Sequence, residues 1–293
     1  MGDERVKLPE SKEQSQQFLK YLLRDVRAMR KMLDDGWFET DNIRIGAEQE
    51  MCLIDNHTRP ASRAMDLLEK LDNKSFTTEL AQFNLEANLT PLFFRGKCLS
   101  ELETQILSKL DSVRDAINRM NGDITLVGVL PTIRKSDLSI DNLTPLPRYR
   151  ALCDAINKLR GEEYDLRIQG TDELLMRFNS PLLEACNTGF QVHLQVSPDE
   201  FVQKYNLAQA IAGPVLACAV NSPLLFGKRL WAETRIALFH QSVDTRKVGD
   251  HLRDSSPRVT FGNQWLKESI LEIYQEDIAR YRVILSSDIE EDV

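Results

Sequence analysis

The sequence has no apolar run near the roughly 20 residues that a membrane-crossing helix needs, which argues against a helical span. Its opening, MGDERVKLPESKEQ, has no apolar signal core, and Val6 stands where a myristoylation signal requires Ser or Thr. A soluble, cytoplasmic protein with no membrane partner is therefore expected. The five cysteines, Cys52, Cys98, Cys153, Cys186 and Cys218, form no CxxC pair and leave an odd count, as reduced cytosolic thiols would. Missing too are GxxxxGK[ST], a GxGxxG after a strand, HExxH and GxSxG, so any nucleotide site works without a glycine cradle. Basic residues are outnumbered, 37 Lys and Arg against 45 Asp and Glu, for a net charge of -8. That balance argues against a nucleic-acid partner, which needs a basic footprint. No solenoid repeat and no low-complexity tract is present.

What is present can build a substantial core: 293 residues, 42% hydrophobic and 28% charged, read as one domain over 1–293. The organising stretch is Ile43 to Asp55, IRIGAEQEMCLID. At period two, Ile43, Ile45, Ala47, Met51 and Leu53 face one way and Arg44, Gly46, Glu48, Glu50 and Cys52 the other. Glu48 and Glu50 thus share a face, with Cβ atoms roughly 6.6 Å apart at about 3.3 Å of rise per residue. They could converge on one cation, or they could be surface acids of a half-solvated strand.

Two more stretches repeat the device. In Gln82 to Pro91, Phe83, Leu85, Ala87 and Leu89 alternate with Gln82, Asn84, Glu86, Asn88 and Thr90. In Gly189 to Val196, Phe190, Val192, Leu194 and Val196 alternate with Gln191, His193 and Gln195. Three strands of one sheet would bring Glu48, Glu50, Glu86 and His193 onto a common polar face. Three crowded carboxylates repel one another unless cations lie between them. Oxygen ligands with one imidazole suit magnesium or manganese better than zinc.

The remaining chain reads as packing elements. Ser11 to Leu33 is an amphipathic helix with Phe18, Leu19, Leu22, Val26, Met29 and Leu33 on one stripe, and Ala64 to Leu71 is a short helix. Ser100 and Glu103 have capping-box spacing at the start of a helix running to Met120. Ile124 to Leu130, apolar on both faces, predicts a central strand. A long loop follows, with Pro131, Pro145 and Pro147 among Arg134, Lys135, Arg148 and Arg150, cations that suit either phosphate or plain solvent. A helix over Tyr149 to Arg160 and a strand over Tyr164 to Gly170 come next. Ser197, Pro198 and Glu200 predict a capped helix reaching Cys218, and the last helix is expected from about Leu266 to Ile284, before a frayed acidic end over Asp288 to Asp292.

GAEQE at Gly46 to Glu50, FNLEANLTP at Phe83 to Pro91, GFQVHLQV at Gly189 to Val196, NSPLLFG at Asn221 to Gly227 and ETR at Glu233 to Arg235 together resemble the glutamate-cysteine ligase type 2 family of carboxylate-amine ligases. The likeness is closest to its longer bacterial branch. It implies an α+β fold similar to the glutamine synthetase catalytic domain: a curved, largely antiparallel sheet with helices on its outer face. It also implies ATP as co-substrate, magnesium or manganese as cofactor, and small-molecule substrates, namely glutamate and an amine such as cysteine. A homo-oligomer is compatible with it. By motif position Glu48, Glu50 and Glu86 would be metal ligands, His193 a metal or phosphate contact, Asn221 a further cofactor contact, and Arg235 the catalytic cation. Family members continue into a strand with another metal-binding Glu, and no counterpart follows Phe261, so a single catalytic domain lacking its C-terminal strands is expected. The alternative is a metal-nucleotide-binding or sensing module of the same fold that forms no bond.

Overall fold

The structure is a computed structural model that describes residues 6–7, 11–160, 164–178, 180–244, 246, 257–281, 283 and 286–287. The chain opens with a two-residue strand, β1 (Val6–Lys7), and helix α1 (Lys12–Asp34). Ser11 caps α1 by accepting a hydrogen bond from the Gln14 N–H at 3.2 Å, meeting one of the donors that a first turn leaves open. The apolar stripe expected on this helix lies only half-covered, and no residue of α1 is buried.

Next come β2 (Arg44–Asp55), α2 (Ala64–Leu71), β3 (Phe76–Thr78), β4 (Asn84–Asn88), β5 (Leu92–Phe93), α3 (Cys98–Asn118) and β6 (Gly122–Thr125). The 12-residue β2 is long enough to serve several shorter strands. β4 pairs with it over Glu48–Cys52 and β5 over Arg44–Ile45, while β6 takes Cys52–Asp55 and β9 (Phe190–Leu194) takes Ile45–Gln49. Since β4 and β9 both pair with Glu48 and Gln49, they occupy opposite edges. β3 adds outside β4, completing a six-stranded sheet. Every strand pairing is antiparallel, and with the helices this makes an α+β fold.

One face of that sheet is apolar by alternation, and helices cover it over β4 and the adjoining part of β2. Met51, Leu53 and Leu85 pack against Leu67 of α2 and Leu110, Val113 and Ile117 of α3. Burying such side chains contributes about 1.5–3 kcal/mol each relative to exposure. α3 begins at Cys98 rather than at a capping box on Ser100, because Cys98 is drawn into a small core with Ile45, Ala47 and Leu89. Ser100 therefore lies inside the helix, where its carbonyl accepts from the Thr104 hydroxyl at 2.9 Å.

The strand expected over Ile124–Leu130 stops at Thr125. Its continuation along β2 is blocked, since the Glu50 N–H already donates to Gly189 O at 3.0 Å and β9 takes the rest of that edge. Residues 126–130 turn away, with Val129 bridging Asn187.

The proline loop is ordered by two 3-10 turns, Lys135–Leu138 and Ile140–Asn142. Its cations serve the fold: Lys135 donates to Arg177 O at 2.9 Å and Arg148 to the Tyr149 hydroxyl at 2.7 Å. After α4 (Pro147–Arg160), β7 (Tyr164–Gln169) pairs with β8 (Glu173–Phe178), a strand the sequence reading did not anticipate, and a 3-10 turn follows at Pro181–Cys186.

Beyond β9 lie α5 (Pro198–Cys218), the small hairpin of β10 (Leu224–Leu225) and β11 (Lys228–Arg229), α6 (Thr234–Ser242), α7 (Leu271–Arg280) and β12 (Ser286–Ser287), which pairs with β1. Pro198 opens α5 as predicted, but Ser197 makes no side-chain cap and none of the helix is buried. α7 is shorter than expected at its start because Glu272 Oε1 accepts from the N–H groups of Lys267, Glu268 and Ser269, holding them as a turn. Ile284 and the acidic end over Asp288 to Asp292 lie outside the described residues.

A second core lies at the Cys52 end of β2, where Phe83, Val129, Leu166, Ile168, Leu182, Leu183, Leu225 and Leu238 join the β7–β8 hairpin to α6. The hairpin's turn is locked to the strand before α6. A side chain at Gly170 would overlap the backbone of Leu230, the Trp231 Nε1–H donates to Gln169 O at 2.9 Å, and the Asp172 N–H donates to Arg229 O at 2.7 Å.

Candidate functional site

The register across β2 brings the alternating polar residues together. Glu50 lies opposite Glu86 on β4, Glu48 opposite Asn88 on β4 and Gln191 on β9, and Gly46 opposite His193. Cross-strand partners project to the same side, so Glu48, Glu50, Glu86 and His193 share one face. His193 Nε2 stands 3.6 Å from Glu48 Oε1.

The tightest acidic group differs from the three acids named by motif position. One carboxylate oxygen from each of Glu50, Glu79 and Glu86 lies within 4.8 Å of the others, and Glu48 is outside this group. Glu79 follows β3, whose Thr77 pairs with Glu86; period two then sets Glu79 on the face of Thr77 and Glu86. Sequence reasoning missed it, although FTTEL at Phe76 to Leu80 carries a short alternation that could have revealed it. The second missed acid is Glu184, in the 3-10 turn at Pro181–Cys186 among the fully buried Leu182 and Leu183. Its signal was a single acid in the apolar run PLLEAC.

Burial and mutual repulsion mark these carboxyls. Burial, then the charges of Glu50, Glu86 and Glu184, push Glu79 up to about 9. Burial, then Glu50, raise Glu184 to about 7. Glu50 is also raised, mainly by burial, although the Gly189 N–H donates to its Oε2 at 2.8 Å and opposes the shift. A half-buried set of oxygen donors that repel one another fits a hard divalent cation of the magnesium or manganese type, which would remove the repulsion.

Arg235 comes to the edge of this group from the first turn of α6. Its Nε donates to Glu233 and its Nη1 to Thr188 O at 3.2 Å. Glu233 is buried and also accepts from the Asn221 N–H at 2.7 Å, so the NSP and ETR stretches are fastened to each other. Two glycines border this packing, and Gly128 is the one that it requires. A Cβ on Gly189 would lie 3.8 Å from Glu50 Oε2 and 4.0 Å from Arg235 Nη1. A Cβ on Gly128 would lie 2.5 Å from Asn221 Oδ1 and 3.2 Å from Arg235 Cδ. Arg235 is thus brought beside both Glu50 and Asn221.

Beside Glu50 opens a cavity of about 560 Å3, a size ordinary for small-molecule sites. Its polar lining residues include Glu50, Glu184, Asn187, Arg235 and His240, and Trp231 and Phe239 form part of its apolar wall. Asn187 is unusual there: its Oδ1 and Nδ2 are both buried and neither has a hydrogen-bond partner among the described residues.

No helix among the described residues is long and apolar enough to cross a membrane. A protein-family model described as Glutamate-cysteine ligase family 2 (GCS2) matches residues 44–287, a span that holds every residue placed above on the polar face and around the cavity. No curated protein matches the chain.

Proposed function

The chain belongs to glutamate-cysteine ligase family 2, and from that membership we propose an ATP-dependent carboxylate-amine ligase that acts on glutamate or a close relative. The observation that carries this reading is the convergence of Glu50, Glu79 and Glu86 on one small volume, within a family whose chemistry makes amides from acids.

A carboxylate is a poor acylating agent, and bringing it to a triphosphate sets anion against anion. In the proposed reaction the substrate's carboxylate oxygen attacks the γ-phosphorus of ATP, releasing ADP and leaving an acyl phosphate. The amine nitrogen then attacks the acyl carbon, phosphate departs, and the amine proton goes to solvent or a nearby base. Glu50, Glu79 and Glu86 would hold a magnesium or manganese ion that supplies positive charge where these anions meet. Arg235, fixed through Nε and Nη1, presents the rest of its planar fork to a phosphate or carboxylate. His193, poised by Glu48, offers a further contact to the phosphates. Asn221 braces Arg235 through their shared partner Glu233.

The test is phosphate release from ATP with magnesium, measured with and without glutamate and with a panel of amines. Release that depends on both acid and amine is expected, together with an amide product by mass spectrometry. Release that ignores the acid would reject the ligase reading.

A further inference from the structure

We propose that the cavity beside Glu50 receives the amine substrate and selects an amine with an apolar, ring-sized body. This rests on the ligase reading above and names the substrate which that reading leaves open.

Three kinds of molecule meet in such a reaction: a triphosphate, an amino acid with two carboxylates, and an amine. The cavity's lining favours the last. Two of its polar lining groups, Glu50 and Glu184, are carboxyls, and Arg235, with Nε and Nη1 taken by Glu233 and Thr188 O, has only the rest of its fork to offer at the border with the three-acid group. A polyanion filling this cavity would meet two carboxyls and a largely hydrocarbon wall, with only His240 and part of Arg235 among the described residues to offset them. An amine that arrives as an ammonium is drawn to the same acids, and its charge is also favoured over aromatic faces.

The rest of the wall is mostly apolar, with Thr188, His240, Gln241 and Thr260 set among its hydrophobic residues. Trp231, Phe239 and Phe261 line it and are respectively 45%, 37% and 64% exposed. Aromatic surface left open around a concave site is removed from water when an apolar ligand enters. At about 560 Å3 the cavity has room well beyond a cysteine side chain. Asn187 supplies orientation: with neither amide atom partnered among the described residues, its Oδ1 can accept from the amine N–H and hold the nitrogen toward Glu50, on the side where the acyl group would form. Buried amides without partners are rare in folded proteins, and a ligand's polar group is a direct way to satisfy one.

The test compares ethylamine, phenethylamine and cysteine on the full chain. Titration calorimetry reads binding independently of turnover, and phosphate release with ATP, magnesium and glutamate reads use. Phenethylamine is expected to bind at least tenfold tighter than ethylamine and to give at least tenfold higher kcat/KM than either ethylamine or cysteine. Phe261→Ser should bring the phenethylamine-to-ethylamine binding ratio toward one, whereas Asn187→Leu should weaken both amines at least tenfold and leave that ratio in place. Phe261 is exposed, so its variant keeps the core, and an unchanged thermal midpoint verifies this. Equal binding of the two simple amines would overturn the proposal, as would tight binding of phenethylamine combined with fastest turnover on cysteine. Should no amine support phosphate release while the binding ratio holds, the ligase reading fails and the cavity's preference for an apolar amine stands.

Discussion

β4 and β9 flank the same central strand and carry the same alternation, yet they end in opposite circumstances. On β4, Leu85 is completely buried beneath α2 and α3 together with Met51 and Leu53 of β2. On the β9 side, Phe190, Val192 and Leu194 point to the same apolar face by register but remain 46–58% exposed. The helix that follows β9, α5, likewise buries none of its residues. Alternation therefore reports which way a side chain points and says nothing about what will lie over it. Cover is a tertiary property, set here by where α2 and α3 happen to reach.

The strongest probe of this contrast is the polar face that the two halves share. Glu50→Gln removes one ligand from the three-acid group and should reduce magnesium-dependent ATP binding below detection by calorimetry. Binding at the original strength would remove Glu50 from the site and leave the convergence of the two halves without a function. On the covered side, Leu85→Ala opens a cavity under α3 and should cost about 2–5 kcal/mol in urea unfolding. A loss near zero would mean that the covered half is packed no better than the open one.

A smaller effect is expected from the buried acids. Glu79 has its folded pKa raised from 4.5 to about 9, mainly by burial and then by its acidic neighbours. Through that window the folded chain holds a proton that the unfolded chain has released, so stability must fall as pH rises. Below it both states are protonated, and the penalty vanishes. Thermal midpoints measured without divalent ions should decline from about pH 5 to about pH 9. The decline should be shallower in Glu79→Gln and should be offset by added magnesium, which binds the folded state. Parallel slopes for the two proteins would show that Glu79 does not carry the effect. The smallest change belongs to the open side, where Val192→Ser should stay within about 0.5 kcal/mol, as surface substitutions do. A loss like that of Leu85→Ala would show that something covers β9 in solution and would erase the contrast.

These two halves also mark how far the sequence could be read. The shared face of Glu48, Glu50, Glu86 and His193 was legible because β2, β4 and β9 are long enough for period two to emerge. Glu79 escaped because it lies one residue past a strand of three, too short to stand out from its surroundings. Glu184 escaped because a 3-10 turn has no face pattern to betray an inward acid. The capping signal at Ser100 was outweighed by burial of Cys98 two residues earlier. The overlong strand at Ile124 failed for a non-local reason: Gly189, 65 positions later in the sequence numbering, claims the same backbone edge. Family membership was readable because its motifs are spread along the span that the family model matches.

The missing side chain at Gly170 has a reach its location does not suggest. The tip of the β7–β8 hairpin presses on Leu230, and from there the backbone runs five residues to the guanidinium that borders the acids. A methyl group at that tip would act as a wedge, with α6 as its lever arm and the placement of Arg235 as the load it shifts. The aim of the proposed anion clamp is thus set at the far end of a hairpin that contributes no chemical group of its own.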